Sequence, residues 1–197
     1  MALTPSTMLA LGSPAPDFAL PEPATGKTIH TADFAGRPLL VLFICNHCPY
    51  VKHVAPALAQ IGRDYRGRVD IVAIQSNDVD DYPDDSPEKM VDEVKLRGYD
   101  FPYVYDETQE VAQAFTAACT PDVFLFDADH TLAYRGQIDG SRPTRISSGN
   151  YNSADNPSDG ADLRAAMDAV IAGTKPTADQ KPSMGCNIKW KAGNAPG

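Results

Sequence analysis

The sequence lacks the features that mark membrane-spanning and nucleic-acid-binding proteins. No stretch approaches the roughly 18 consecutive apolar residues of a transmembrane helix, and residues 1–18 show neither the basic start nor the apolar block of a signal peptide. The 17 Lys and Arg residues form no basic run and are outnumbered by 26 Asp and Glu residues, so the net charge of −9 disfavours a phosphate-backbone partner. We therefore expect a soluble, cytoplasmic protein that binds neither nucleic acid nor membrane.

Cysteine is also scarce, with four residues in a chain of 197. Reducing conditions in the cytosol keep structural disulfides open, so catalysis or metal binding is the more usual role for so few thiols. With 43% hydrophobic residues the chain can bury one sizeable core, but it is too short for two ordinary domains. We predict one domain at residues 13–173, an N-terminal arm at 1–12 and a C-terminal tail at 174–197, with regular structure beginning near Asp17.

The most informative stretch is LLVLFICNHCPYVKHVAPALAQI, residues 39–61. Its first six residues are apolar, which is typical of a central parallel strand that is buried on both faces. Apolar residues then recur every three or four positions and predict a helix with one face against the sheet. Pro49 suits the first turn of this helix, whereas Pro56 lies inside it and should kink it. A second apolar run at 69–74 completes a strand–helix–strand unit with parallel strands.

The rest of the chain alternates between short strands, helices and polar loops. Hairpins of edge strands are predicted at 18–30 and 123–138, with a further strand at 101–105. Helical periods and capping residues predict helices between Ser86 and Gly98, at 108–118 and at 163–171.

Two polar segments carry no such period. The first, QSNDVDDYPDDSP at 75–87, has paired aspartates that suggest calcium, but it lacks the glycine and the terminal glutamate of an EF-hand loop. A solvated acidic loop is therefore the favoured interpretation. The second, residues 141–160, is either a mobile loop or a segment that orders over a functional surface.

Cys45 and Cys48 bracket two residues where the predicted strand meets the predicted helix. This spacing lets the second sulfur reach a mixed disulfide on the first, and a helix start lowers the pKa of an exposed thiol. A half zinc site would need a second ligand pair, yet Cys119 and Cys186 are isolated and the histidines have no paired spacing. Redox chemistry is favoured over metal binding, and we predict no metal and no other cofactor.

Several longer motifs accompany the cysteine pair: PDFALPEPATGK, FICNHCPYVKH, DETQEVAQAF, TPDVFLFD and GCNIKW. With these motifs, the chain resembles the thioredoxin-like superfamily over about residues 13–173. Within that superfamily it resembles the peroxiredoxin-like group of redoxins, AhpC/TSA-like proteins and thiol-disulfide isomerases. The resemblance implies an α/β fold, a three-layer sandwich in which helices flank a mixed central sheet, with an N-terminal hairpin and an extended C-terminal tail.

The resemblance also implies roles for individual residues. Cys45 would be the exposed nucleophile and Cys48 the buried resolving thiol of a thiol-disulfide oxidoreductase. The Thr120–Pro121 peptide bond would be cis and would face the pair, with the Thr120 backbone positioning an incoming peptide or disulfide. The implied partners are a protein or small-molecule disulfide substrate and a thiol electron donor, neither of which the sequence identifies. The sequence also leaves the oligomeric state open.

A thiol-dependent peroxidase is the alternative enzyme. A peroxiredoxin site combines an arginine, a proline, and a threonine three residues before the peroxidatic cysteine. With Cys48 as that cysteine, Val41 and Cys45 occupy the proline and threonine positions; with Cys45, Pro38 fits but Leu42 replaces the threonine. Neither alignment completes the triad, so thiol exchange is favoured. A metal- or partner-binding module without enzymatic activity is the second alternative.

The route of the proton is open. Leu39 stands where thioredoxins hold a buried acid, so Asp122, His47 or water has to accept the proton instead. His47 either stabilises a Cys45 thiolate as an imidazolium or is a solvent-exposed loop histidine.

The two isolated cysteines also have two interpretations each. Cys119 is either a small buried hydrophobe or a redox thiol near Pro121. Cys186 is either a cysteine in a packed extension or an extra resolving thiol, which a tail anchored by Trp190 would bring to Cys45.

Overall fold

The fold is defined by a computed structural model that describes residues 3–196. Its helices are α1 (Pro49–Tyr65), α2 (Pro87–Arg97), α3 (Glu110–Ala114) and α4 (Ala161–Ile171), with short 3-10 helices at Thr31–Phe34 and Pro83–Asp85. Its strands are β1 (Leu3–Pro5), β2 (Ala19–Glu22), β3 (Lys27–His30), β4 (Leu39–Phe43), β5 (Asp70–Gln75), β6 (Tyr103–Tyr105), β7 (Cys119–Thr120), β8 (Asp122–Phe126), β9 (Leu132–Arg135), β10 (Thr144–Ser147), β11 (Asn150–Asn152) and β12 (Met184–Asn187).

A mixed sheet of five strands lies at the centre, in the order β6-β5-β4-β8-β9. Strand β4 pairs in parallel with β5 and antiparallel with β8, and all five of its residues are buried. A strand that is covered on both faces has no polar side to show, which explains the continuous apolar run. The predicted parallel unit of β4, α1 and β5 is confirmed, as is the hairpin of β8 and β9 at the edge of the sheet.

Helices and connecting segments cover both faces of this sheet. Leu40 and Leu42 of β4 pack in the core with residues of α1, α2 and α4. The alternate residues Leu39, Val41 and Phe43 pack on the other face with α3 and the β2–β3 hairpin. Because successive strand residues point to opposite faces, this alternation produces the three layers that the sequence predicts.

The arm and the tail form regular structure, contrary to the prediction. Strand β1 pairs antiparallel with β12, and β12 pairs antiparallel with β7, so a second sheet joins both ends of the chain to the segment before Pro121. The prediction that regular structure begins near Asp17 is therefore wrong. These strands are only two to four residues long, which is too short for an alternating pattern to be visible in the sequence. The division into arm, domain and tail remains a prediction.

The polar segment 141–160 orders in part over the start of α1. It contains the hairpin of β10 and β11, and the Tyr151 ring lies against that of Tyr50 with 6.2 Å between ring centroids. The helix predicted at 108–118 is shorter than expected and forms only as α3. Among the described helices, none combines the length and the apolar character that crossing a bilayer requires.

The aromatic cluster behind the sheet gives a test of the core. Phe115 is fully buried, and its ring centroid lies 5.3, 5.5 and 6.0 Å from those of Phe43, Phe124 and Phe126. We expect Phe115→Ala to lower the free energy of unfolding by about 3–5 kcal/mol in urea denaturation, through lost burial and the remaining cavity. Leu96→Ala is the control, because Leu96 is 72% exposed. A loss below about 1 kcal/mol for Phe115→Ala would contradict this packing.

Candidate active site

The cysteine pair lies where β4 ends and α1 begins. Cys45 follows the strand by two residues, and Cys48 is the residue before Pro49, the first of the helix. The backbone N–H of Lys52 donates to the Cys48 carbonyl at 2.9 Å, which starts the helical ladder. Pro49 lacks an N–H, but at the first helical position no partner for it is needed. The junction therefore brings both thiols to the end of the helix where N–H groups are unpaired.

Both sulfurs contact Thr120, in the segment of the second sheet. The Cys45 Sγ lies 3.3 Å from the Thr120 hydroxyl, and the Cys48 Sγ lies 3.2 Å from the Thr120 carbonyl oxygen. The Thr120–Pro121 peptide bond is cis in this structure. Cys45 is only 1% exposed, so the expectation of an exposed thiol at this position is wrong. Neither Cys45 nor Cys48 is part of a disulfide.

The tail brings Cys186 to the pair as well. Strand β12 places Cys186 opposite Thr120, and the Cys186 sulfur lies 2.8 Å from the Cys48 sulfur. The sequence raised a partnership of Cys186 with Cys45, but the contact that forms is with Cys48. Cys119 is fully buried, and its thiol donates to the Pro121 carbonyl at 3.4 Å.

The electrostatics of the site favour a thiolate at Cys48. Burial by itself would raise the Cys48 pKa, but hydrogen bonds from the thiols of Cys186 and Cys45 and from backbone N–H groups outweigh burial and hold that pKa well below its usual value. Burial, the hydrogen bond to Cys48 and the charge of Asp85 raise the pKa of Cys45. The hydrogen bond to Cys48, followed by burial, raises the pKa of Cys186. The start of the helix therefore lowers the pKa of Cys48, whereas the sequence analysis expected it to lower the pKa of an exposed thiol at Cys45.

Asp85 is the site residue that the sequence analysis missed. Its side chain is fully buried, and its Oδ1 accepts hydrogen bonds from the backbone N–H groups of Asn46 at 2.8 Å and His47 at 3.2 Å. The carboxylate thus holds both residues between the cysteines. The interpretation of this loop as solvated is wrong for Asp85, although its neighbour Asp84 is exposed. The available signal was the tight turn itself, because its N–H groups need an acceptor from elsewhere in the chain.

His47 is held by Asp85 rather than exposed. Its Nδ1 lies 2.6 Å from the Asp85 Oδ2, its ring stacks on Tyr82 with 5.4 Å between centroids, and its side chain is 13% exposed. Within residues 3–196 its Nε2 has no hydrogen-bond partner. A groove of about 500 Å³ opens beside the ring, with Asn46, Lys52 and Arg97 among its lining residues. His47 therefore lies between the cysteine pair and a polar groove.

Of the two side chains considered as proton acceptors, His47 is the one near the pair. The Cys45 sulfur, a His47 ring nitrogen and an Asp85 carboxylate oxygen lie within 4.8 Å of one another. Asp122 lies opposite Phe43 in the pairing of β4 with β8, on the same face of the sheet as Phe124. On that face its carboxylate accepts a hydrogen bond from the backbone N–H of Ala118 at 3.1 Å. Asp122 is therefore not placed to take a proton from either cysteine.

The same three groups offer zinc-type ligands, since thiolate, imidazole and carboxylate all bind that ion. However, the Asp85 carboxylate already accepts hydrogen bonds from Asn46, His47 and Asn77. An ion would have to break several of these bonds and ionise Cys45, whose pKa is raised. The arrangement fits thiol chemistry better than a metal centre.

Residues 11–135 match the AhpC/TSA family. The chain belongs to that family. It is 28% identical over 125 residues to the thiol-disulfide oxidoreductase ResA of Geobacillus kaustophilus, covering 63% of this chain and 67% of the relative. It is 30% identical over 115 residues to a provisionally named peroxiredoxin of Mycobacterium tuberculosis (strain H37Rv), covering 58% of this chain and 69% of the relative.

Solved structures agree with this family at the level of the fold. A conserved protein of Geobacillus kaustophilus superposes with a TM-score of 0.89 at 46% identity, covering 98% of both chains. A protein of Sinorhizobium meliloti 1021 has a TM-score of 0.87 at 45% identity, covering 96% of this chain and all of its own. A DsbE-type thiol:disulfide interchange protein of Chlorobium tepidum has a TM-score of 0.56 at 20% identity, covering 64% of this chain and 84% of its own, which shows the fold alone. The thioredoxin-like α/β fold is confirmed.

The role of Asp85 can be tested against its exposed neighbour. Asp85→Asn keeps the size of the side chain but loses the charge and one acceptor oxygen, so we expect the free energy of unfolding to fall by about 1–3 kcal/mol. Asp84→Asn, one residue earlier in the same 3-10 helix, should change it by less than about 0.5 kcal/mol. Urea denaturation measures both. Equal losses for the two variants would show that Asp85 does not hold the turn.

Asp122 gives a prediction for the effect of pH on stability. Burial raises the pKa of Asp122 to about 6 in the folded protein, above the roughly 3.9 of an unfolded aspartate. Between these values the folded state binds more protons, so stability falls as the pH rises, by about 3 kcal/mol in all. Asp122→Asn removes this dependence, and its stability relative to the parent should rise by that amount between about pH 4 and 7. A difference that stays constant with pH in urea titrations would contradict the burial of this carboxyl.

Proposed function

We propose that this protein is a thiol-disulfide oxidoreductase whose redox centre is the pair Cys45 and Cys48. The observation that carries the proposal is the position of both sulfurs at the start of α1, where donors converge on Cys48 and favour its thiolate. The thiol-disulfide oxidoreductases named ResA among the relatives support the same reaction class.

In the proposed reaction, the Cys45 sulfur attacks a substrate disulfide and releases one substrate thiolate, leaving a mixed disulfide on Cys45. The Cys48 thiolate then attacks the Cys45 sulfur, forms the Cys45–Cys48 disulfide and releases the second substrate thiolate. Cys45 is the attacking residue because its sulfur lies beside His47, which lines the groove, whereas Cys48 lies beneath Thr120 and Cys186. The hydrogen bond from the Cys45 thiol to Cys48 offers the path by which Cys45 passes its proton to Cys48. The departing substrate thiolate then takes this proton from Cys48, which restores the Cys48 thiolate for the second step.

Two partners complete the cycle. The substrate is a protein or small-molecule disulfide, and the resting dithiol is restored by a thiol electron donor, which reduces the Cys45–Cys48 bond by the same exchange in reverse. Neither partner requires a metal or an organic cofactor.

A thiol-dependent peroxidase is the second candidate, favoured by the family match and by the relative that carries a peroxiredoxin name. The site argues against it. With Cys45 as the peroxidatic residue, the threonine position holds Leu42, which is buried in β4 and offers no hydroxyl. With Cys48 in that role, the threonine position is Cys45 itself and the proline position is the buried Val41.

The proposal is tested by reducing a test disulfide such as insulin with dithiothreitol as the electron donor. Wild type should accelerate the reaction and, when oxidised, should yield a peptide in which Cys45 and Cys48 are linked. Cys45→Ser and Cys48→Ser should both lose this peptide and fall to the rate without protein, because exchange needs an attacking and a resolving thiol. Cys119→Ser is the matched control and should keep the wild-type rate.

A trapping experiment separates the two roles. Treated with an aromatic disulfide, Cys48→Ser should hold a stable mixed disulfide on Cys45. A mixed disulfide on any residue other than Cys45 would contradict the assignment of Cys45 as the nucleophile. Rapid consumption of hydrogen peroxide with sulfenic acid at one cysteine, and no reduction of insulin, would favour the peroxidase instead.

A further inference from the structure

We infer that Cys186 is a third redox thiol, which takes over the disulfide of the active site by bonding to Cys48. This inference rests on the proposed redox role of Cys45 and Cys48 and extends it to the tail. Its first support is distance. The two sulfurs lie 2.8 Å apart, and the backbone N–H of Cys186 also donates to the Cys48 sulfur.

The approach of the tail to the site depends on a residue without a side chain. Gly185 lies against Thr120, and a Cβ at this position would overlap the Thr120 carbonyl group. Any other residue would push β12 away from β7 and would withdraw the neighbouring sulfur. Gly185 therefore permits the register in which Cys186 lies opposite Thr120, beside both sulfurs of the pair.

The tail is fixed on both sides of Cys186. Before it, the Ser183 hydroxyl donates to the Pro121 carbonyl at 2.6 Å. After it, Ile188 is 1% exposed in the core behind the sheet, and its backbone N–H donates to the Ala118 carbonyl at 3.1 Å. Cys186 is therefore held in place, and a fixed sulfur at this distance favours exchange because the reacting atoms need little reorganisation.

The tail is also joined to the loop that holds the cysteine turn. The backbone N–H of Lys189 donates to the Asn77 Oδ1 at 2.8 Å, and the Asn77 Nδ2 donates to Asp85 at 2.8 Å. Asp85 in turn binds the two residues between Cys45 and Cys48. A single amide side chain thus sets the positions of the third thiol and of the pair relative to each other.

The reaction is an exchange within the chain. After substrate has been reduced, the Cys186 sulfur attacks the Cys48 sulfur of the Cys45–Cys48 disulfide. The Cys48–Cys186 bond forms, the Cys45–Cys48 bond breaks, and Cys45 leaves as a thiolate that takes up the proton lost by Cys186. No electrons enter or leave, so no further oxidant or reductant is needed. The oxidised protein then carries a thiol at Cys45 and a disulfide between α1 and the tail.

The test oxidises the protein with one equivalent of 4,4′-dithiodipyridine, alkylates the remaining thiols and maps the linked peptides. Wild type should contain the Cys48–Cys186 peptide beside the Cys45–Cys48 peptide, with Cys45 alkylated in the molecules that carry the Cys48–Cys186 bond. Cys186→Ser should contain only the Cys45–Cys48 peptide, with Cys45 protected. Cys45→Ser should form the Cys48–Cys186 disulfide, and the double variant Cys45→Ser, Cys186→Ser should form no internal disulfide at Cys48.

Gly185→Ala provides a test that keeps every thiol. In the Cys45→Ser background, it should slow formation of the Cys48–Cys186 bond by about 10- to 100-fold, since a misplacement of about 1 Å can cost that much. Gly193→Ala, also in the tail but with no heavy atom near the added Cβ, is the control, with circular dichroism to confirm folding. Alanine is strained at Gly193 because φ is +88° there, so this control also shows how the rate responds to backbone strain in the tail outside β12.

The results separate this inference from the proposed function. The inference is wrong if oxidised Cys45→Ser still has free thiols at Cys48 and Cys186, or if its Cys48 is linked to Cys119 or to a second molecule. Either result contradicts the inference even when wild type reduces insulin. If the Cys48–Cys186 bond forms but no variant affects insulin reduction, the inference about bonding holds and the oxidoreductase proposal fails.

Discussion

The buried carboxylate of Asp85 is the interaction on which the geometry of the cysteine pair depends. The chain leaves β4 and enters α1 within a few residues, so the N–H groups of Asn46 and His47 can pair in neither element. Asp85 accepts both, and Asn77 and the His47 ring occupy its second oxygen. A buried charge is costly unless its lone pairs are satisfied, so the turn and the acidic loop stabilise each other. The spacing of the two sulfurs follows from this contact.

The second constraint is the pairing of β12 with β7, which closes the other side of the site. The tail lies beside Thr120 and covers the sulfurs, so both walls around the pair come from segments that carry no helical or strand period. Asn77 connects them, because its side chain bonds to Asp85 on one side and to the Lys189 backbone on the other. The central sheet fixes the position of the start of α1. The acidic loop and the tail provide the groups that contact the cysteine pair there.

This division explains what could be predicted from the sequence. The central strands, α1 and the position of the CNHC turn follow from hydrophobic periodicity and proline placement, which report local burial. Asp85 could not be distinguished from Asp84, since one is buried and the other exposed only because of how the loop folds onto the turn. The contact of Cys186 with Cys48 joins residues that are 138 positions apart, and it depends on the pairing of β12 with β7 and on the missing side chain of Gly185. Neither leaves a local pattern.

The three sulfurs influence one another's pKa, so the reactivity of Cys45 depends on whether Cys186 in the tail is a thiol or is bonded to Cys48. Burial is the largest influence that raises the Cys45 pKa, and the hydrogen bond to Cys48 and the charges of Asp85 and Cys48 add to it. In the proposed Cys48–Cys186 disulfide, the Cys48 sulfur carries no charge and no longer accepts a hydrogen bond from the Cys45 thiol. The hydrogen bond to Cys48 and the charge of Cys48 therefore no longer raise the Cys45 pKa. Cys45 would then ionise at a lower pH than in the fully reduced protein. Transfer of the disulfide to the tail therefore leaves a more reactive thiol at Cys45, beside the His47 ring that lines the groove.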